Sequence, residues 1–189
     1  MFKSLKKPQN MSENKLRELF EDLVEFFNYN IDSNNINKIK AMYSFSKKSK
    51  ENLLTADKQL QILFNEVIKY IDCTVLYGNR SKKEQFSLYK QGRELINGKW
   101  VKTKKVPTVT NCDGIKKLSN HNYLPSRAVD VVPYPINWKD IEKFYYFAGI
   151  VKGIAFVKGI NIRWGGDWDN DNDLHDQNFY DLAHFEIVS

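Results

Sequence analysis

At 189 residues the chain is long enough to bury the core of one ordinary domain without disulfide staples, and its two cysteines, Cys73 and Cys112, stand outside any C-x-x-C pair, which excludes a disulfide framework and a thiolate metal site. Its charge of +6 is unevenly spread: residues 161 to 189 set Arg163 against seven carboxylates, a local −6 that leaves +12 for the rest. A basic body suits a polyanionic partner and an acidic tail suits a cation, and since no apolar run approaches about eighteen residues, membrane insertion is excluded.

Residues 12 to 28 read as an amphipathic helix, with Ser12 as N-cap and Leu16, Leu19, Phe20, Leu23 and Phe27 at spacings of three and four. The stretch from Asn28 to Ser49 is rich in Asn, Ser and Lys and reads as a connector with one short helix around Ile36 to Tyr43. These segments are expected to form an N-terminal helical extension over residues 1 to 50, set before the main domain over 51 to 189. A basic N-terminus with no apolar run of signal-peptide length after it leads us to expect synthesis in the cytoplasm.

Leu60, Leu63, Phe64, Val67, Ile68 and Ile71 make one apolar stripe and predict a helix from Thr55 to Ile71. Cys73 to Tyr77 reads as a strand, and Ser81-Lys-Lys-Glu84 is a capping box opening a helix that Gly92 closes. Residues 93 to 118 read as a polar loop. Ala128 to Val132 is an apolar strand ended by Pro133 and Pro135, Trp138 to Ile154 reads as a helix, and Ile160 to Trp164 and His184 to Val188 are further strands. Helices and strands mixed in this order predict an α+β fold with a small, mainly antiparallel sheet.

Three histidines allow each to be weighed. His121 lies nine residues before Asp130, which sits inside the apolar run Ala128-Val-Asp130-Val-Val132. An ionised carboxylate there needs a partner, and a metal ion is one that offsets its desolvation; an exposed sheet edge would serve equally. His184 follows Asp181 by three residues, a spacing that lets one ligate a metal while the other reaches its water. Alone, that D-x-x-H is common by chance. Together, two His and one Asp make a three-ligand zinc site with an open fourth position. Asp181 is then the candidate general base, and Arg80 the candidate to steady an oxyanion. Asp169, Asp171 and Asp173 form an oxygen-rich run suited to calcium, without the Gly and Glu of an EF-hand at their usual offsets; His175 in the same loop reads as solvated.

Five segments in order resemble a family of zinc peptidases, the D-Ala-D-Ala carboxypeptidases and L-alanyl-D-glutamate endopeptidases that include phage endolysins. They are Gly78-Asn-Arg80-Ser-Lys-Lys-Glu84-Gln85, Ser119-Asn-His121, Ser126-Arg-Ala128-Val-Asp130, Trp164-Gly-Gly-Asp167-Trp168 and Asp181-Leu-Ala-His184-Phe-Glu186, across residues 52 to 188. The resemblance implies zinc at His121, Asp130 and His184, acid/base catalysis by Asp181, transition-state stabilisation by Arg80, and the stem peptide of bacterial peptidoglycan as substrate. The Trp-Gly-Gly-Asp-Trp segment looks closer to the endopeptidases than to the D,D- or L,D-carboxypeptidases, and all four chemical positions are kept, which speaks against a non-catalytic wall-binding module. A nucleic-acid partner would leave these motifs unexplained. An endolysin made without a leader would act on the wall after membrane failure at phage lysis. Two departures stand out: nine residues rather than seven separate His121 from Asp130, and Ser126 stands where the family has Gly.

Overall fold

The computed structural model describes residues 43 to 103 and 105 to 188. The helix expected over 12 to 28 and all but the last residue of the one expected over 36 to 43 lie outside them. Helix α1, Lys47–Leu54, begins at the N-cap Ser46, whose side chain accepts from Ser49 N. It spans residue 50, where the sequence suggests a boundary. Helix α2, Lys58–Val67, starts at Asp57, whose carboxylate accepts from Gln59 N. The single helix expected from Thr55 is thus a cap, a turn and a shorter helix, because Thr55 closes α1 and Asp57 opens α2.

Strand β1, Cys73–Tyr77, matches its expected span, and helix α3, Lys82–Lys90, has the full capping box of Ser81 and Glu84. Gly92 follows at φ 71°, where an L side chain is strained. The expected polar loop contains a hairpin, β2 Arg93–Ile96 and β3 Lys99–Lys102, turned by Asn97 and Gly98 at φ 48° and 75°. Strand β4, Ala128–Pro133, helix α4, Ile141–Val157, strand β5, Ile162–Trp164, and strand β6, His184–Ile187, complete the chain. Helix α4 starts three residues later than the expected Trp138 because Asp140 caps it, its side chain accepting from Lys143 N.

The four main strands form one antiparallel sheet in the order β1-β4-β6-β5, which bears out the expected α+β class. Period-two alternation gives the sheet two unlike faces. Val75, Val129, Val131, Ile162 and Phe185 join the core with Leu60, Leu63, Phe64 and Val67 of α2 and Phe147, Ala148 and Val151 of α4. Phe64 and Phe147 meet the Phe185 ring edge-on at 5.5 and 5.9 Å. The residues that alternate with these, Asp130, His184, Glu186 and Arg163, belong to the opposite face. α1 fastens to β1 from the side, with Asn52 Nδ2 donating to the carbonyls of Val75 and Leu76 at 3.0 and 2.7 Å. Among the described residues no helix is long and apolar enough to cross a membrane.

Phe64 is fully buried at the centre of this packing and remote from the polar face. Phe64→Ala is expected to cost about 3–5 kcal/mol in urea denaturation; a loss below about 1 kcal/mol would mean that the core is centred elsewhere.

Candidate active site

The antiparallel register of β4 and β6 sets Asp130 directly opposite His184, so the carboxylate and the imidazole meet on the polar face. His121 arrives from a separate loop. A 3₁₀ turn over Asn120–Asn122 opens on a capping box between Ser119 and Asn122, and the loop is stitched to the segment after β1: Arg80 N donates to His121 O at 2.7 Å, Asn79 Nδ2 to the same oxygen at 3.1 Å, and Asn122 Nδ2 to Arg80 O at 2.9 Å. The three side chains are buried and converge. His121 Nε2 is 3.1 Å from Asp130 Oδ1 and 3.2 Å from His184 Nδ1, and His184 Nδ1 is 3.2 Å from Asp130 Oδ1.

The remaining ring nitrogens settle what faces inward. His121 Nδ1 lies 2.7 Å from the Gly78 carbonyl, which only accepts, so the neutral ring carries its proton there and turns a lone pair inward from Nε2. His184 Nε2 lies 3.0 Å from Glu186 Oε2, so its proton sits on that side and Nδ1 faces inward bare. Two ring lone pairs and a carboxylate oxygen then point at one another, an arrangement that requires a cation between them. Ligand atoms about 2.0–2.1 Å from a tetrahedral zinc ion are about 3.3 Å apart, close to the spacing here. Each imidazole also has the hydrogen-bonded outer partner usual for metal-ligating histidine. The donor set fits a metal ion.

Without a metal the missing positive charge is a proton. Burial opposes it, but hydrogen bonds to Asp130 and Glu186 push His184 up to about 9. Burial likewise works against ionisation of Asp130, yet His121, His184 and Arg80 hold it well below the usual carboxylate range. Arg80 pairs through Nη2 with the outer oxygen of Asp130, leaving Oδ1 to the centre.

Glu186, absent from the site expected by sequence, proves central to this face. It is buried, receives Asn120 Nδ2 at 2.5 Å and Arg163 Nε at 2.8 Å besides His184, and despite the burial penalty these partners hold it at about 2. Its position two residues past His184, on the same strand face, is the signal that identifies it. Trp168 lies against the His184 ring at 5.3 Å, with its indole N–H donated to Phe179 O at 2.9 Å.

Asp181 is half-buried beside the centre. The D-x-x-H spacing is a closed turn, His184 N donating to Asp181 O at 2.9 Å, and Gly165 bonds to both ends of it: its N–H to His184 O and its carbonyl from Asp181 N. A Cβ on Gly165 would meet Asp181 O at 2.3 Å, which accounts for the first glycine of Trp164-Gly-Gly. Burial, with the Asp130 charge, raises Asp181 above the usual carboxylate range. Arg80, His121, Asp181 and His184 line one cleft of about 740 Å³, and Asp130 sits behind them.

The longer His121-to-Asp130 connection is absorbed at the surface. Arg127 N bonds to Asn120 O and Ser126 N to Thr55 O, so the extra chain leaves and returns at fixed points while Leu124 projects into solvent at 81% exposure. Ser126 Oγ turns inward and donates to Ala128 O at 2.6 Å. The acidic loop differs from expectation: the carboxylates it brings together are Asp167, Asp169 and Asp171, whereas Asp173 accepts from His175 N. Lys152 Nζ, 2.8 Å from Asp167 Oδ2, already supplies that set with a counter-charge.

An antiparallel α+β domain with three lone-pair donors converging behind and beside a cleft that also holds a protonatable carboxyl has the donor set of a metal-dependent hydrolase. Within that class, the chain belongs to the phage L-alanyl-D-glutamate peptidase family, whose model matches residues 41–188. It is 25% identical over 154 residues to the L-alanyl-D-glutamate peptidase of Escherichia phage T5, covering 77% of this chain and 98% of that one. It is 31% identical over 127 residues to the peptidoglycan L-alanyl-D-glutamate endopeptidase CwlK of Bacillus subtilis strain 168, covering 64% of this chain and 63% of that one. The crystal structure of the Serratia marcescens L-Ala D-Glu endopeptidase ChiX shares the fold, with a TM-score of 0.52 at 21% identity over 79% of this chain and 93% of that one.

His184 stands above its unfolded value of 6.5 in the metal-free protein, so its stabilising contribution is complete below that pH and is lost as pH rises through about 9. Thermal melts of chelated protein should therefore fall between about pH 6.5 and 9, while melts of metal-loaded protein, in which the cation has displaced the proton, do not share that fall. Equal pH dependence in the two states would place the proton elsewhere.

Proposed function

We propose that this protein is a zinc peptidase that hydrolyses the L-alanyl-D-glutamate bond in the stem peptide of bacterial peptidoglycan. The observation that carries the reading is the triangle of two bare ring nitrogens and one carboxylate oxygen beside Asp181 in a single cleft. The two curated relatives carry that bond in their names, and one names peptidoglycan. The basic body, +12 outside the last 29 residues, favours approach to an anionic wall. Membership of a phage family fits action on the wall at lysis.

On this reading His121, Asp130 and His184 are the metal ligands. A zinc ion held by these three residues would supply Lewis acidity, which brings the pKa of a bound water to about 7 and polarises a carbonyl. Asp181 takes the proton of the attacking water and delivers it to the amine of the departing D-glutamate; its raised affinity for protons suits a group that must accept one and release it in the same turnover. Arg80 fixes Asp130 through Nη2, and its Nε, buried without an acceptor among the described residues, is a donor in reserve for the oxygen that gains charge in the transition state. The Gly78 carbonyl and Glu186 keep each imidazole in the tautomer that ligates.

Purified peptidoglycan is the test substrate, with new amino termini as the readout. Wild type should release N-terminal D-glutamate, chelation should stop release and zinc restore it, and Asp181→Asn should lower the rate by about 10²- to 10⁴-fold while keeping one equivalent of zinc. Zinc binding with untouched peptidoglycan would sink the substrate assignment; turnover surviving chelation would sink the metal. Glu186→Ala is expected to weaken zinc binding by about 10- to 100-fold in a chelator competition, with Glu186→Gln less affected because it still accepts a hydrogen bond; unchanged affinity in both would deny Glu186 its orienting role.

A further inference from the structure

Resting on the reading above, one more part of the substrate can be matched to the cleft. Glutamate has two carboxyl groups, and only one can continue a peptide chain. Whichever is used, the residue that follows the cut bond carries a second carboxylate within a few ångströms of the reacting carbonyl. A site built for this bond needs a cation that its own structure does not already occupy.

Three cationic side chains line the cleft: Arg80, Arg163 and Lys117. Two are engaged internally. Arg80 pairs with Asp130; Arg163 presents Nε and Nη2 to Glu186 and donates from Nη1 to Trp168 O. Lys117 is exposed and, among the described residues, makes no ion pair with any carboxylate. Its nearest acidic neighbour in sequence is committed elsewhere, since Asp113 Oδ1 accepts the amides of Ile115, Lys116 and Lys117, each at 2.8 Å.

The mount of Lys117 is rigid, although its loop has no regular structure. The fully buried Gln85 on α3 donates from Nε2 to Thr110 Oγ1 at 3.2 Å and Cys112 O at 3.0 Å, tying this wall to the helix. Gly114 packs against the Gln85 stem, where a Cβ would approach to 2.8 Å, and its N–H donates to Lys117 O at 3.0 Å. Four residues further on lies His121. The lysine is thus held at a set distance along the chain from the metal centre, with only its flexible stem left to adjust.

We propose that Lys117 is the specificity residue for the free carboxylate of the D-glutamate that follows the scissile bond, so that the protein prefers D-glutamate to its amide, D-isoglutamine, at that position. Two synthetic stem peptides differing only in this carboxylate or amide test the idea, with zinc-loaded full-length wild type, Lys117→Met and Lys117→Arg. Wild type should favour the carboxylate peptide by about fivefold in kcat/KM, mostly through KM, as a partly exposed ion pair allows, and added salt should erode the preference. Lys117→Met should lose the preference by slowing on the carboxylate peptide alone, and Lys117→Arg should keep it. Calorimetric titration with the cleaved product, which retains the carboxylate on an N-terminal D-glutamate, should give the same ranking without turnover. Equal cleavage of both peptides by wild type, or an equal loss on both in Lys117→Met, would overturn the role of Lys117 and leave the endopeptidase reading standing. Failure of wild type to cut either peptide would overturn both.

Discussion

A carboxylate buried in the middle of an apolar strand sets the terms for this half of the molecule. All six residues of β4 are buried, and Asp130 among them would carry a large desolvation penalty if left alone. Its two oxygens are therefore divided between the Arg80 guanidinium outside and, inside, the centre it shares with the His121 and His184 rings, where a cation or a proton supplies the positive charge. Remove either and the strand would hold an uncompensated charge, which costs far more than a surface ion pair ever contributes. The sheet register, the Arg80 segment and the His121 loop can all be read as consequences of that one group.

Regular structure supplies only half of the centre. Strands place Asp130, His184 and Glu186 by register alone, whereas His121, Arg80 and Asp181 stand on irregular backbone that is made rigid by hydrogen bonds between loops distant in sequence. Asn79, Asn122 and Gly165 contribute no chemistry, yet they decide where the reacting groups stand. This is how a small domain achieves a preorganised site without lengthening its elements.

Much of this was legible beforehand for a physical reason: strands β1, β4 and β6 are short, apolar and bounded by turn residues, and a carboxylate or histidine within them stands out against that background. Asp130 and His184 stand out in this way, whereas His121, Arg80 and Asp181 are picked out by spacing and by the motifs they sit in; the structure gathers all five around one cleft. Elements whose stability comes from tertiary packing were harder to see. Helix α1 has too polar a sequence to announce itself and depends on Asn52 and Ser49 bonding to β1, 23 and 26 residues away in sequence. The β2–β3 hairpin was signalled by Asn97-Gly98, but only one of its eight strand residues, Arg93, is buried, so no alternation marked it. Glu186 lies in the Asp181-to-Glu186 segment but draws no role from the sequence, because nothing local reveals that Arg163, Asn120 and His184 surround it.

The displaced loop between His121 and Asp130 has a practical side. Tyr123 O is held by Asn79 Nδ2 at 2.7 Å and Ser126 N by Thr55 O, so the part of the loop that stands clear of other backbone is its tip at Leu124, which projects into solvent. That makes it a natural attachment point: a fluorophore, an affinity handle or a grafted wall-targeting peptide carried there would ride within a short reach of the catalytic cleft without sharing its geometry.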